Sequence, residues 1–270
     1  MRLNTMESNL ETDAPKRWVG ASPEGLASAM VLAAGRGERM RPLTDTAPKP
    51  MLEVHGKPLM QWHMEALAKA GHPDQLINTA WLGPQIEAHF GLNPDLPNGG
   101  RVRLRYSHEG KEFGYALETA GGIVRALPFL APVFWVVAGD IYAPQFDFAP
   151  AIAKEFVRSD KLAHIWLVPN PAHNPKGDFG LSSEGLALNL PKTATLFTFS
   201  TLALYKKEFF AAALTGMPEG NPQGKAAPLA PLLRAAMDRG LVSASLYTGA
   251  WTDVGTPERL RDLNQSPATP

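Results

Sequence analysis

The chain has 270 residues, 44% of them hydrophobic, enough for one large α/β domain with its own core. Lysine plus arginine equals aspartate plus glutamate at 26 each, so no global field draws the chain to nucleic acid or to an anionic membrane, and any anion site must be local. There is no cysteine, which excludes disulfides, zinc–thiolate centres and thiol nucleophiles.

Residues 1–28 carry Glu7, Glu11, Asp13 and Glu24 and no apolar segment, so neither a secretory signal nor an Arg-rich transit peptide fits. The expectation is a disordered extension on a cytoplasmic protein. Residues 29–33 read as a first strand running into the Gly- and Arg-rich stretch 34–50. Next, "PLMQWHMEALAKAG" places Leu59, Trp62, Ala66, Leu67 and Ala70 on one helical face, stopped by Gly71. Residues 75–79, 102–106 and 133–137 read as strands. The longest uncharged apolar run, 126–138, has 13 residues and two prolines, short of the roughly 20 a membrane helix needs. This β-α-β alternation predicts a mainly parallel sheet flanked by helices.

The second half is more mixed. Strands are expected at 162–168, 195–204 and 243–247, a helix at 230–239, and turn-rich connections at 169–180 and 215–225. The chain closes with "WTDVGTPERL", where Thr256 stands directly before Pro257 as a helix cap. The domain is expected to span 29–264, with 265–270 as a tail.

Ligands of open α/β sheets bind beyond the carboxyl ends of strands, and two such loops carry chemistry here. Gly35 and Gly37 begin a G-x-G, but Met40 stands where a dinucleotide fold needs its third glycine. Met40 and Arg41 likewise stand where a P-loop needs Gly-Lys. What remains is a flexible turn whose N–H groups can approach phosphate, followed by Arg36, Arg39, Arg41 and Lys49. Pro42, Pro48 and Pro50 stiffen the segment. An isolated cation there would read as a solvated loop; clustering after the first strand favours an anion cradle.

Asp140 follows Gly139 at the exit of the fourth strand, and Asp253 lies between Trp251 and Val254. A strand-end aspartate often only caps a turn. If Thr256 caps the last helix, Asp253 is free for other work. Two carboxylates beside a cationic phosphate cradle suit Mg²⁺. The seven histidines show no metal-ligand spacing and read as ordinary surface or core residues, and "GASPEG" lacks the last glycine of a nucleophile elbow.

"LAAGRGERMRPLTDTAPKP" resembles the signature of the sugar-1-phosphate nucleotidylyltransferases: G-x-G, then T or E, R-x-x-P-x-T and P-K-P. "NTAWLGPQIEAHFG", "LRYSHEG", "ALETAGGI", "GDFGL" and "WTDVGTPERL" extend the resemblance over about 29–264, most like the N-acetylmuramate α-1-phosphate uridylyltransferases of bacterial cell-wall recycling. The resemblance implies a Rossmann-like, glycosyltransferase-A-like α/β fold in a single domain, with a mixed, mainly parallel sheet. It implies UTP and a sugar 1-phosphate as partners, Mg²⁺ as cofactor, and a monomer or small homo-oligomer without nucleic acid or membrane.

Site roles follow from the same resemblance. Ala33, Ala34, Gly35, Gly37 and Arg39 would wrap the triphosphate, Lys49 would bridge the phosphates, and Asp140 and Asp253 would hold the metal. Asn78, Ala80, Gly121 and Gly122 would line the base and ribose, and Asn170, Asp178 and Ser200 the sugar. Ala120, Ala138 and Thr201 depart from the family pattern, which at those places has Gly, Asn and Gly, and residues around 113–116 look inserted. The alternatives are a hexose-1-phosphate enzyme making GDP-mannose, dTDP-glucose or UDP-glucose, or a non-catalytic nucleotide-sugar sensor. Retention of Lys49, Asp140 and Asp253 argues against the sensor.

Overall fold

The computed structural model describes residues 26–189 and 195–267, so the expectation of a disordered extension lies outside the described residues except at its last positions. There the boundary moves: strand β1 (Ala27–Ala33) begins two residues before the expected 29. In chain order follow α1 (Leu59–Lys69), β2 (Asp74–Thr79), α2 (Gly83–Phe90), β3 (Arg103–His108), α3 (Glu118–Ala126), β4 (Leu130–Ala138) and β5 (Ile141–Tyr142). The second half contributes α4 (Pro150–Arg158), β6 (Ala163–Val168), β7 (Phe179–Leu181), β8 (Ala187–Leu188) and β9 (Leu196–Lys206). It ends with α5 (Ala230–Met237), β10 (Val242–Leu246), β11 (Thr252–Asp253) and α6 (Pro257–Gln265).

One mixed sheet of nine strands organises these elements in the order β8-β7-β9-β4-β1-β2-β3, with β6 and β10 extending from β9. The half around β1 is parallel: β1 pairs β2 and β4, and β2 pairs β3. At β9 the direction reverses, because that strand runs antiparallel to both β4 and β6. The near-continuous apolar sequence of β1 follows from burial on both faces. Met30 belongs to one core with Leu76, Phe134 and Val136. Its neighbour Val31 belongs to the other, with Ile77, Trp135 and Val137.

The helix α1 departs from the face read in the sequence. Met60, Met64 and Leu67 enter the second core, while Leu59 and the partly buried Trp62 turn to a third, small cluster of Met40, Val54, Tyr142 and Val254. A helix wedged between two apolar surfaces has no single buried stripe, so one 3.6-residue face cannot describe it. No helix among the described residues is long and apolar enough to cross a membrane.

Candidate active site

The loop after β1 sorts its cations by partner. Around the missing Cβ of Gly35 there is open space, so a ligand can approach its backbone. Gly37 adopts φ 67° and leads into a 3₁₀ turn, Glu38–Met40, whose Met40 is fully buried in the third cluster. A Cβ at Gly37 would stand 3.0 Å from Thr44 Cγ2 and 3.1 Å from Lys49 Cβ, so glycine meets both a dihedral and a packing demand there. Arg36 braces the loop: it donates to Thr44 O (2.8 Å) and Asp45 Oδ1 (3.0 Å) and lies 3.7 Å over the Trp81 ring. Arg41 also pairs with Asp45, at 3.3 Å. Arg39 lines the cleft and has no carboxylate partner among the described residues.

Lys49 sits in a second 3₁₀ turn, Lys49–Met51, between Pro48 and Pro50, and is 7% exposed. Its Nζ donates to Asp140 Oδ2 at 2.6 Å and lies 3.9 Å from Asp253 Oδ1. A short ladder brings the two aspartates together across the chain. β5, directly after Asp140, pairs antiparallel with β11 so that Asp253 faces Ile141, and Val254 N donates to Asp140 O at 3.2 Å.

Thr256 does cap α6, accepting from Arg259 N at 3.3 Å, which leaves the Asp253 side chain free of that duty. Asp253 Oδ2 instead accepts from Arg259 Nη1 at 3.0 Å and lies 3.3 Å from His173 Nε2. Burial, followed by the Arg259 charge, holds the His173 pKa below the ordinary histidine value.

A cleft of about 950 Å³ runs from this loop across the strand ends to β7, β9 and α5. Nine of the expected site residues line it: Ala33, Ala34, Gly35, Gly37, Arg39, Lys49, Asn78, Asp140 and Asp178. Asp253 lines an adjoining hollow of about 300 Å³ that shares Asp140, Asp178 and Thr201 with the main cleft.

Five expected residues do not line either space. A Cβ on Gly121 would come 2.5 Å from Lys225 O, and one on Gly122 would come 2.5 Å from Glu109 Oε1, so the space a side chain would fill at these glycines is taken by protein neighbours. Ala80 packs its backbone against Gly110. Asn170 is spent on the β9 end, donating to Leu196 O at 2.9 Å and accepting from Thr198 Oγ1 at 2.9 Å. Ser200 is fully buried; its hydroxyl donates to Trp166 O (2.7 Å) and accepts from Leu202 N (3.1 Å).

The next residue, Thr201, lines both spaces and holds φ 64°, the left-handed region in which a glycine would be unstrained. It lies where the β6–β9 register shifts, between the Ile165–Ala203 and Leu167–Phe199 pairs.

Three further residues shape the site without a local sequence signal. His173 and Arg259 hold Asp253, which corrects the reading of all histidines as ordinary. Glu109 is 1% exposed and accepts from Leu117 N at 2.7 Å and Asn78 Nδ2 at 2.8 Å, while Asn78 Oδ1 accepts from Ala33 N at 2.9 Å. That chain of bonds ties the last residue of β1, at the mouth of the loop, to β2 and to the start of α3. Burial pushes the Glu109 pKa up to about 7.

A glycine-rich cationic loop at the end of a parallel strand, with a lysine and two aspartates gathered beside it, defines a protein that handles nucleoside phosphates. The nucleotidyl transferase family model matches residues 28–269. The chain is 43% identical to the N-acetylmuramate α-1-phosphate uridylyltransferase of Neisseria meningitidis serogroup B over 87% of this chain and 95% of that protein. It is 31% identical to the enzyme of the same name from Caulobacter vibrioides, over 85% and 92%. Among solved structures, a putative glucose-1-phosphate thymidylyltransferase from Bacillus anthracis shares the fold with a TM-score of 0.68 at 20% identity, covering 88% of this chain and 93% of that one. The chain belongs to the nucleotidyl transferase family and is a sugar-1-phosphate nucleotidyltransferase.

Proposed function

We propose that the protein transfers UMP from UTP to N-acetylmuramic acid α-1-phosphate, giving UDP-N-acetylmuramic acid and pyrophosphate, in cytoplasmic recycling of peptidoglycan. The observation that carries the chemistry is Lys49 Nζ at 2.6 Å from Asp140 and 3.9 Å from Asp253, on a cleft of about 950 Å³ that has room for two substrates. The names of the two relatives that match nearly end to end support the choice of base and sugar.

In this reading a phosphate oxygen of the sugar 1-phosphate attacks the α-phosphorus of UTP, the bond to the β-phosphate bridging oxygen breaks, and pyrophosphate leaves with that electron pair. The nucleophile is already anionic at neutral pH, so no general base is required. Catalysis then reduces to holding two anions together in line. Arg39 and the Gly35–Gly37 backbone serve the leaving pyrophosphate, and Lys49 stands between the two phosphates. Asp140 and Asp253 offer only oxygen, and only two carboxylates, which fits Mg²⁺, an ion that completes its shell with phosphate oxygens and water. Bound there, it would neutralise phosphate charge.

The test is pyrophosphate release by purified protein with Mg²⁺ and UTP, offered N-acetylmuramic acid, N-acetylglucosamine, glucose or mannose 1-phosphate. Release with the muramic substrate at a clearly higher kcat/KM supports the proposal. A preference for another sugar, or for GTP or dTTP, replaces it with one of the hexose-1-phosphate readings.

A further inference from the structure

Four cationic side chains line the main cleft: Arg36, Arg39, Lys49 and Arg234. Arg36 is committed to Asp45 and Trp81, and Lys49 to Asp140. Arg39 belongs to the phosphate loop. Arg234 lies on the opposite wall, on α5, away from that loop in the sequence and in the sheet.

Its hydrogen-bond and ring partners among the described residues are not acids. Arg234 Nη1 donates to the neutral Asn189 Oδ1 at 2.7 Å, and its guanidinium carbon lies 5.0 Å from the centre of the Phe179 ring. Asp238, one helical turn further on, is spaced to pair with it, but it accepts from Asn189 Nδ2 at 3.0 and 3.2 Å instead. Arg234 has no carboxylate partner among the described residues. The wall around it is apolar: Phe179, Phe199, Ala203, Leu229 and Leu233. Asp178, which lines the cleft beside Phe179, has an oxygen already occupied, accepting from Phe199 N at 2.9 Å.

We propose that Arg234 and this apolar wall receive a carboxylate carried on the sugar ring, so that the enzyme selects acidic over neutral sugar 1-phosphates. The inference deepens the proposed function and rests on that reading for its particular sugar, since muramic acid differs from glucosamine by a lactic acid ether bearing one carboxylate and one methyl group. A guanidinium in apolar surroundings gives a strong, planar, charge-assisted bond to a carboxylate. A neutral sugar would leave the cation without its anion, which is the arrangement that discriminates most sharply.

The experiment measures kcat/KM with UTP for two matched pairs: N-acetylmuramic acid against N-acetylglucosamine 1-phosphate, and glucuronic acid against glucose 1-phosphate. Wild type, Arg234→Met and Arg234→Lys are compared. The wild type should prefer the acidic member of at least one pair. Arg234→Met should lose roughly 10- to 100-fold of that preference, through KM rather than kcat, and Arg234→Lys should keep part of it.

A wild type without acidic preference overturns the inference, and so does an Arg234→Met protein whose acidic-to-neutral ratio is unchanged. A merely structural role through Asn189 lowers both members alike and gives that second, refuting result. If the acidic preference and its loss appear only with glucuronic acid, the muramic reading fails and the role of Arg234 stands.

Discussion

Thr201 is a β-branched residue at φ 64°, and its backbone strain can be weighed by replacing it with glycine and with alanine. Left-handed backbone costs a residue with a Cβ about 1–2 kcal/mol. Glycine gives back about 0.5–1 kcal/mol through the greater freedom of its unfolded chain. Both variants lose the Thr201 Oγ1 bond to Ser200 O (2.6 Å), so that loss cancels in the comparison. Thr201→Gly should therefore be more stable than Thr201→Ala by about 0.5–1 kcal/mol, or about 2 °C in Tm for a chain of this size. The sign is diagnostic, because in an ordinary strand alanine is the more stable of the two by about the same amount. Thermal and urea unfolding without nucleotide measure it. An alanine variant as stable as the glycine variant, or more so, refutes the strain. The same pair tests function: Thr201 lines both spaces, so removing its side chain should widen sugar acceptance, read as a smaller spread of kcat/KM across the sugar panel.

Lys49→Met, Asp140→Asn and Asp253→Asn should each cut turnover roughly a hundredfold or more, with far-UV circular dichroism unchanged. Near-normal turnover in any of them removes that residue from its role. Gly255→Ala should disturb Asp253 through Arg259 and directly, because the added methyl falls on Arg259 Nη2 and stands 3.1 Å from Asp253 Oδ2. The displaced guanidinium releases the carboxylate, turnover falls about ten- to a hundredfold, and Tm barely moves; a fully active Gly255→Ala enzyme would show that Arg259 does not position Asp253. Glu109 gives a pH signature. Its folded pKa of about 7 lies above the ordinary 4.5, so its contribution to stability is fully present below pH 4.5 and is lost as pH rises through 7. The amount is on the order of 3 kcal/mol. Buried His63, pushed down to about 4, works in the opposite sense, adding stability as pH rises from 4 to 6.5. The difference between wild type and Glu109→Gln isolates the first effect: it should decline between pH 4.5 and 7, and a flat difference would contradict it.

What could be read in the sequence was what is local. The apolar run of β1, the glycines after it and the proline-framed lysine mark a candidate phosphate loop within twenty residues. Asp140 and Asp253 were legible as strand-end acids, one of them freed by a better cap at Thr256. Other features depend on contacts that the order of residues does not encode. Gly121 and Gly122 give the same signal whether a ligand or another part of the protein approaches, and the atoms along their missing Cβ are Lys225 O and the Glu109 carboxylate. Ser200 and Thr201 differ by one place in a strand, so alternation turns the first into the core and the second to the cleft, but which face meets the cleft is decided by the elements packed on it. Arg259 and His173 reach Asp253 from α6 and from the turn before β7, and Arg234 is marked only by the acid it fails to pair with.

The small third cluster explains how such a site stays in order while its charges change partners. Ion pairs such as Lys49–Asp140, whose carboxylate is 35% exposed, hold little free energy against water and salt. Met40, Val54, Leu59, Tyr142 and Val254 are each at most 2% exposed. Burying side chains of that size is worth about 1.5–3 kcal/mol each. Met40 belongs to the phosphate loop, Leu59 begins α1, Tyr142 lies two residues after Asp140, and Val254 directly follows Asp253. Apolar contact therefore sets the relative positions of the loop and both aspartates. On the proposed function, Lys49 can then trade a carboxylate for arriving phosphate without moving the frame that places it.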